Sequence, residues 1–230
     1  MIRVLTTGLA VIFSLTLVAS VSAFTWTEVG DAGDLLATAQ DLTGVIGLTS
    51  ISGNLSAADS PGVSIDADMY KILIMDPGTF SATTVALTTL DTQLFLFNSA
   101  GLGVYANDDC SVCVDVLQST LPAGHSSGPI VAGIYYLVIT SFNLDPVSPG
   151  GLIFPDVTTG DLSTGVYGPT GLGGGSVITG YSGFGTTPGP YTIALTGVHD
   201  VPVPEPATLL LLGSGVAGVA WATRNRQRRK

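Results

Sequence analysis

Positive charge is what this chain most lacks. Only 10% of its 230 residues are charged, and seven lysines and arginines face seventeen aspartates and glutamates, for a formal net charge of −10. The shortage is concentrated. Between residues 24 and 206 all seventeen acidic residues occur against a single basic one, Lys71, a formal charge of −16. Such a segment repels phosphate backbones and anionic headgroups, which argues against nucleic acid as a partner. It favours divalent cations or a solvated exterior. Cysteine and histidine are equally scarce: Cys110, Cys113, His125 and His199 make a thiolate and imidazole zinc site a poor fit.

What the chain does have is turn chemistry. It carries 30 glycines and 13 prolines beside 46% hydrophobic residues, and the apolar residues come in short runs separated by Gly, Pro, Asn and Asp. That pattern reads as all-β, an antiparallel β-sandwich rather than a helix bundle, and the apolar content excludes disorder. About 177 residues between Phe24 and Asp200 suffice for one domain with a real core. Phe24 to Asp34 reads as a lead-in. Strands are expected at Ile46 to Ile51, Met69 to Met75, Leu94 to Phe97, Leu102 to Tyr105, Ile134 to Thr140 and Tyr191 to Thr196, with one or two more in Thr79 to Leu90. Asn98 to Gly101 supplies a tight hairpin turn. Residues 141–190 form a Gly- and Pro-rich insertion, too long for a structureless loop, so it is expected to hold a short strand pair or to cover a sandwich edge.

The two ends carry a different message. Arg3, an apolar core from Leu9 to Val18 and Val21-Ser22-Ala23 form the pattern of a cleavable signal peptide over 1–23, which implies export through the Sec machinery. At the other end, a Pro-rich tether at 201–206 precedes an uncharged run at 207–223, roughly 25 Å long as a helix and so a minimal membrane span. Five of the seven basic residues follow in 224–230, which places that end in the cytoplasm and the body outside. The ending Val203-Pro204-Glu205-Pro206-Ala207-Thr208-Leu209-Leu210-Leu211-Leu212-Gly213, with its basic tail of Arg224, Arg226, Arg228, Arg229 and Lys230, resembles the PEP-CTERM sorting signal of Gram-negative bacteria. The resemblance implies recognition at Pro204, Glu205 and Pro206 by a membrane-embedded exosortase, with cleavage near the Pro-Glu-Pro. It implies an inner-membrane anchored precursor and delivery to the cell surface, or to an exopolysaccharide or biofilm matrix.

The body carries a second resemblance. Asp66-Ala67-Asp68-Met69-Tyr70-Lys71-Ile72, Asp91-Thr92-Gln93-Leu94-Phe95-Leu96-Phe97, Gly101, Asn107-Asp108-Asp109, Ala132-Gly133-Ile134-Tyr135-Tyr136-Leu137-Val138 and Tyr191-Thr192-Ile193 are similar to the bacterial pre-peptidase C-terminal (PPC) domain, over about Thr38 to Gly197. That family implies a jelly-roll-like β-sandwich, a secreted accessory module without catalysis of its own. The 141–190 insertion and the absence of an attached protease depart from the family pattern.

Few residues suggest chemistry. Cys110 and Cys113 form one C-x-x-C, expected as a local disulfide outside the cytoplasm. A thioredoxin-like role would need a helix N-terminus after the motif, and Val112 to Val116 reads as a strand. Asp66 and Asp68 lie at i, i+2, while Asn107, Asp108, Asp109 and Asp115 crowd the cysteine turn. Each group can supply oxygen ligands to a structural Ca²⁺, or can equally cap strand ends and form Asx-turns. Gly124-His125-Ser126-Ser127-Gly128 fits the G-x-S-x-G spacing of secreted hydrolases, but Pro129 to Gly133 cannot begin the helix that motif requires. Tyr167, Tyr181 and Phe184 could stack on sugar rings or anchor a loop. The expectation is a non-enzymatic exported protein; a carbohydrate- or calcium-dependent adhesion module is the alternative.

Overall fold

The computed structural model of the chain describes residues 23–57, 66–110, 113, 117–156, 165–198 and 224. Residues 1–22 of the signal segment, the 207–223 span and, except for exposed Arg224, the sorting-signal residues lie outside that set, and so does Asp115. Among the described residues no helix is long and apolar enough to cross a membrane.

The described chain is all-β. Its strands are β1 (Phe24–Thr27), β2 (Gln40–Asp41), β3 (Leu48–Leu55), β4 (Ala67–Ile74), β5 (Ser81–Thr83), β6 (Thr92–Asn98), β7 (Gly103–Asn107), β8 (Thr120–Leu121), β9 (Gly133–Ser141), β10 (Leu144–Ser148), β11 (Gly151–Leu152), β12 (Val166–Tyr167), β13 (Gly180–Gly183) and β14 (Gly189–Thr196). They form a five-stranded sheet in the order β1-β3-β14-β5-β8, a six-stranded sheet in the order β12-β7-β6-β9-β4-β2 and a three-stranded sheet in the order β11-β10-β13.

Side-chain alternation explains how the sheets stack. Along β14 only Tyr191, Ile193 and Leu195 are buried, alternating with more exposed residues, so this strand has one covered face. In β6 every residue from Thr92 to Phe97 is buried. Successive side chains point to opposite faces, so a run buried throughout requires cover on both. Leu94 and Leu96 of β6, Tyr70, Ile72 and Ile74 of β4 and Leu137 and Ile139 of β9 share one core with Ile51, Leu55, Ile193 and Leu195 of the five-stranded sheet. The opposite set, Met69, Phe95, Phe97 and Val138, packs in a second core with Leu144, Ile153, Phe154 and Ile178. Phe154 anchors this second core, its ring 5.5 Å from Phe95 and edge-on to Phe97 at 5.8 Å.

The 141–190 insertion therefore does two things. Through β10, β11 and β13 it forms a third layer over the outer face of the six-stranded sheet, and through β12, where Val166 pairs with Asn107, it extends that sheet's edge. The antiparallel expectation needs one correction. The lead-in contains β1, which pairs in parallel with β3, and β2 pairs in parallel with β4. The chain between β1 and β2 crosses from one sheet to the other, as a parallel pairing of neighbouring segments requires, and Trp26 Nε1 donates to Gln40 Oε1 at 3.1 Å across that crossing. Thr79 to Leu90 yields only β5, the rest being turn. The hairpin at Asn98 forms as expected: Asn98 Oδ1 accepts from the amides of Ala100 and Leu102, and Gly101 takes a φ of 78° that glycine alone adopts without strain.

Candidate functional site

Two groups of carboxylates converge. The first gathers around Asp68, on β4, and draws on the crossing loop after β1. Glu28, Asp31 and Asp68 each present an oxygen within 4.8 Å of the others, and Asp31, Asp34 and Asp66 form an overlapping trio of the same span. Most of these groups have protein donors. Glu28 Oε1 accepts from the Ala32 amide at 2.9 Å and Oε2 from the Asn54 amide at 2.8 Å, while Asp31 Oδ1 accepts from the Gly33 amide at 2.7 Å. Asp68 is fully buried; its Oδ2 accepts from the Tyr191 hydroxyl at 2.6 Å, and the Tyr70 hydroxyl completes the relay to Tyr191 at 2.6 Å. Asp68 Oδ1 has no partner. Burial pushes the Asp68 carboxyl up to about 8, opposed by the Tyr191 hydrogen bond and reinforced by the neighbouring Asp66, Glu28 and Asp31 charges. Gly53, opposite Tyr191 in the β3–β14 pair, leaves the room this relay needs: a Cβ there would run into the Tyr191 hydroxyl and the Glu28 carboxylate.

The second group lies at the open end of the β6–β7 hairpin, at the same end of the six-stranded sheet as Asp68 but three strands across, since Asp68, Ile139, Leu94 and Asn107 stand in one row of pairings. Asp91 precedes β6, and Asp108 and Asp109 follow β7; because Leu94 pairs with Asn107, the antiparallel register brings these residues together. Their three oxygens lie within 4.8 Å of one another. Here the carboxylates lack donors. Both oxygens of Asp108, Oδ1 of Asp91 and Oδ1 of Asp109 have no hydrogen-bond partner, and Asp108 is only 2% exposed. Burial pushes the Asp108 carboxyl up to about 8, aided by the Asp109, Asp91 and Asp145 charges, and pushes Asp91 to about 6.

The surrounding chain is held firmly. Cys110 and Cys113 are joined in a disulfide with a Cα–Cα distance of 5.4 Å, and the Cys110 amide donates to the Gln118 carbonyl at 2.9 Å. Asn107 does not stand among the converging carboxylates. Its Nδ2 donates to the carbonyls of Asp109 and Gly165, both at 2.8 Å, and its Oδ1 accepts from the Thr120 amide at 2.6 Å, so it fixes the turn that carries Asp109. Asp91, Glu28, Asp31 and Asp34 were not singled out as candidate ligands from the sequence. The signal that finds Asp91 is the hairpin itself, since Asp91 and Asp108 stand at matching distances from the Asn98 to Gly101 turn.

The other candidates sit apart from these clusters. In Gly124 to Gly128 the His125 Nδ1 accepts from the Ser127 amide at 3.1 Å, and its ring stacks on Tyr105 at 6.4 Å. The next regular element is a strand, β9, rather than a helix. Tyr181 anchors the insertion: its hydroxyl donates to the Asp34 carbonyl at 2.8 Å and its ring packs against the second core. Tyr167 is half-buried in β12, and Phe184 is 69% exposed. A surface groove of about 430 Å³ runs between residues 86–89 and 190–192, with Tyr191 its sole titratable lining side chain.

One comparison with known proteins bears on the chain's ends. Residues 202–227 match the PEP-CTERM protein-sorting motif. The match spans Val203, Pro204, Glu205, Pro206 and the arginines Arg224 and Arg226. This motif indicates an exosortase-targeted, exported protein, anchored at the membrane before processing. No curated protein matches the chain.

Proposed function

We propose that the protein is a non-enzymatic extracellular component, delivered by its sorting motif to the cell surface or exopolysaccharide matrix of a Gram-negative bacterium and released there from its membrane tail. The observation that carries this reading is the sorting motif at 202–227. The signal-peptide pattern of 1–23 and the position of the basic tail agree with it. A passive role is favoured because, among the described residues, no carboxylate cluster includes a histidine, the Ser126 loop is followed by a strand rather than a helix, and the 430 Å³ groove is lined by no acid–base pair. We read the body as a PPC-like module whose insertion has become a third layer. Deleting residues 204–230 is expected to abolish processing and change fractionation between membrane, surface and medium; unchanged mass and fractionation would remove the reading.

A calcium-dependent module is the second reading, and Asp68 favours it: a fully buried carboxylate with one unpartnered oxygen faces Glu28 and Asp31, in a body with one lysine. Asp66 and Asp34 extend the same oxygen-rich surface. Hard oxygen donors of this kind suit Ca²⁺. A calcium-dependent rise in melting temperature that Asp31→Asn diminishes is the expected result, and a flat response in the parent protein would rule it out.

A further inference from the structure

The carboxylates at the end of the β6–β7 hairpin pose a problem that the protein does not solve with its own atoms. Asp108 is 2% exposed and neither of its oxygens has a donor, while Asp91 and Asp109, each with one unpartnered oxygen of its own, bring a carboxylate oxygen within 4.8 Å of it. A buried carboxylate without hydrogen bonds or a counter-charge is strongly unfavourable. Proteins ordinarily answer with arginine or lysine. Between residues 24 and 206 the sole basic residue is Lys71, and its ammonium is already 2.8 Å from Asp41. Either the trio holds protons, or a compensating cation comes from solution.

We propose that Asp91, Asp108 and Asp109 bind one Ca²⁺ ion, which fastens the start of β6 to the end of β7 beside the disulfide turn. The donor set is all carboxylate, and the thiols next to it are oxidised, so the site selects a hard cation over zinc or copper. Oxygens within 4.8 Å of one another fit around an ion with ligands at roughly 2.4 Å. Calcium accepts three direct carboxylates with irregular geometry and completes its shell with carbonyls and water, whereas magnesium holds most of its waters. The ligands are also positioned in advance. The Leu94–Asn107 register, the Cys110–Cys113 disulfide, the Cys110 amide to Gln118 carbonyl bond and the Asn107 side chain on the Asp109 carbonyl all fix the two strand ends. The inference rests on the reading that the body works outside the cytoplasm, where disulfides persist and weak calcium sites fill. It is separate from the cluster around Asp68, with which it shares no residue.

The competing arrangement is a metal-free trio that shares protons, and the two differ in sign. The exported protein with its tail processed, purified in EGTA and titrated with CaCl₂, is compared with Asp108→Asn by calorimetry and thermal melting. With a calcium ligand at Asp108, the variant melts at or above the parent in EGTA, because a buried acid has been replaced by a neutral amide. It melts below the parent in millimolar CaCl₂, and its affinity at this site falls on the order of tenfold or more. Asp91→Asn, at a less buried position, gives the same crossing. Equal displacement of both variants from the parent in EGTA and in CaCl₂, or an unchanged binding stoichiometry and affinity, overturns the proposal. Asp31→Asn reports on the Asp68 cluster alone, and the mass of the processed C-terminus reports on sorting alone, so failure of either of those readings is distinguishable from failure here.

Discussion

Asp68 and Asp108 are both buried aspartates at the ends of strands in one sheet, and they are treated in opposite ways. Asp68 receives the Tyr191 hydroxyl, which is itself backed by Tyr70, so a hydroxyl relay crosses from the five-stranded sheet to meet it. Asp108 receives nothing. The difference shows how a body almost without cations can bury acid. Where a facing sheet can supply a tyrosine, a hydrogen bond offsets part of the cost; at the hairpin end, where Asp91 and Asp109 are the facing groups, more negative charge gathers instead. The first arrangement is a structural relay with further carboxylates at its rim, and the second is a carboxylate trio that lacks a protein counter-charge.

The comparison breaks most severely at Gly53. Gly53→Ala places a methyl against the Tyr191 hydroxyl and the Glu28 carboxylate, dismantling the relay, and is expected to cost about 3 kcal/mol in urea unfolding, the upper end of overpacking penalties. Tyr191→Phe keeps the ring and removes the hydroxyl that donates to Asp68 and bonds the buried Tyr70 hydroxyl. It should cost about 2 kcal/mol, measured the same way, because a buried carboxylate oxygen loses its partner. No equivalent donor exists to delete at Asp108, so a matching loss from any neutral substitution there in EGTA would contradict the contrast.

Asp145 gives an intermediate case, since it is buried yet accepts from Gln93 Nε2 at 3.1 Å. Burial raises its carboxyl to about 6 from an ordinary 3.8, with the Gln93 bond opposing and the Asp156 charge assisting. A folded value above the unfolded one means that the charged form is disfavoured by folding. The destabilisation is absent below about 3.8, grows between there and about 6, and is complete above 6. Stability in EGTA should therefore rise as the pH is lowered from 7 toward 4, and Asp145→Asn should flatten that slope; an unchanged slope would contradict the assignment. The smallest effect is expected at the exposed pair. Asp41 is held down at about 2 by the Lys71 ammonium and by Thr43, so its contribution is present above 3.8 and lost as the pH falls through about 2. Both side chains are partly solvated, so Lys71→Ala should shift the urea midpoint least of these variants, and less still in high salt.

The parts legible in the sequence were those written locally. Leu94-Phe95-Leu96-Phe97, Asn98 to Gly101, Leu102 to Tyr105 and Ile134 to Thr140 announce strands and a turn through composition alone, and the structure places β6, the hairpin turn, β7 and β9 there. That β6 is buried on both faces was not legible, because its cover arrives from Leu144, Ile153, Phe154 and Ile178, inside a stretch rich in glycine and proline. The carboxylate clusters divide along the same line. Asp108-Asp109 and Asp66-x-Asp68 are visible as short-range pairs, and Asp91 could be found by counting from the hairpin turn. Glu28 and Asp31 join Asp68 only because β1 pairs in parallel with β3, a long-range choice that no local pattern specifies.

The sorting motif and the acidic body fit one account: a body that carries its charge as carboxylates is delivered to a compartment where calcium and disulfides persist, and the tail that brings it there is removed. The most direct test is the intact mass of the mature protein recovered from surface and medium fractions of the native host. The account predicts a chain that begins near Phe24 and ends near Pro204 to Pro206. A mature chain that still extends to Lys230 would contradict it.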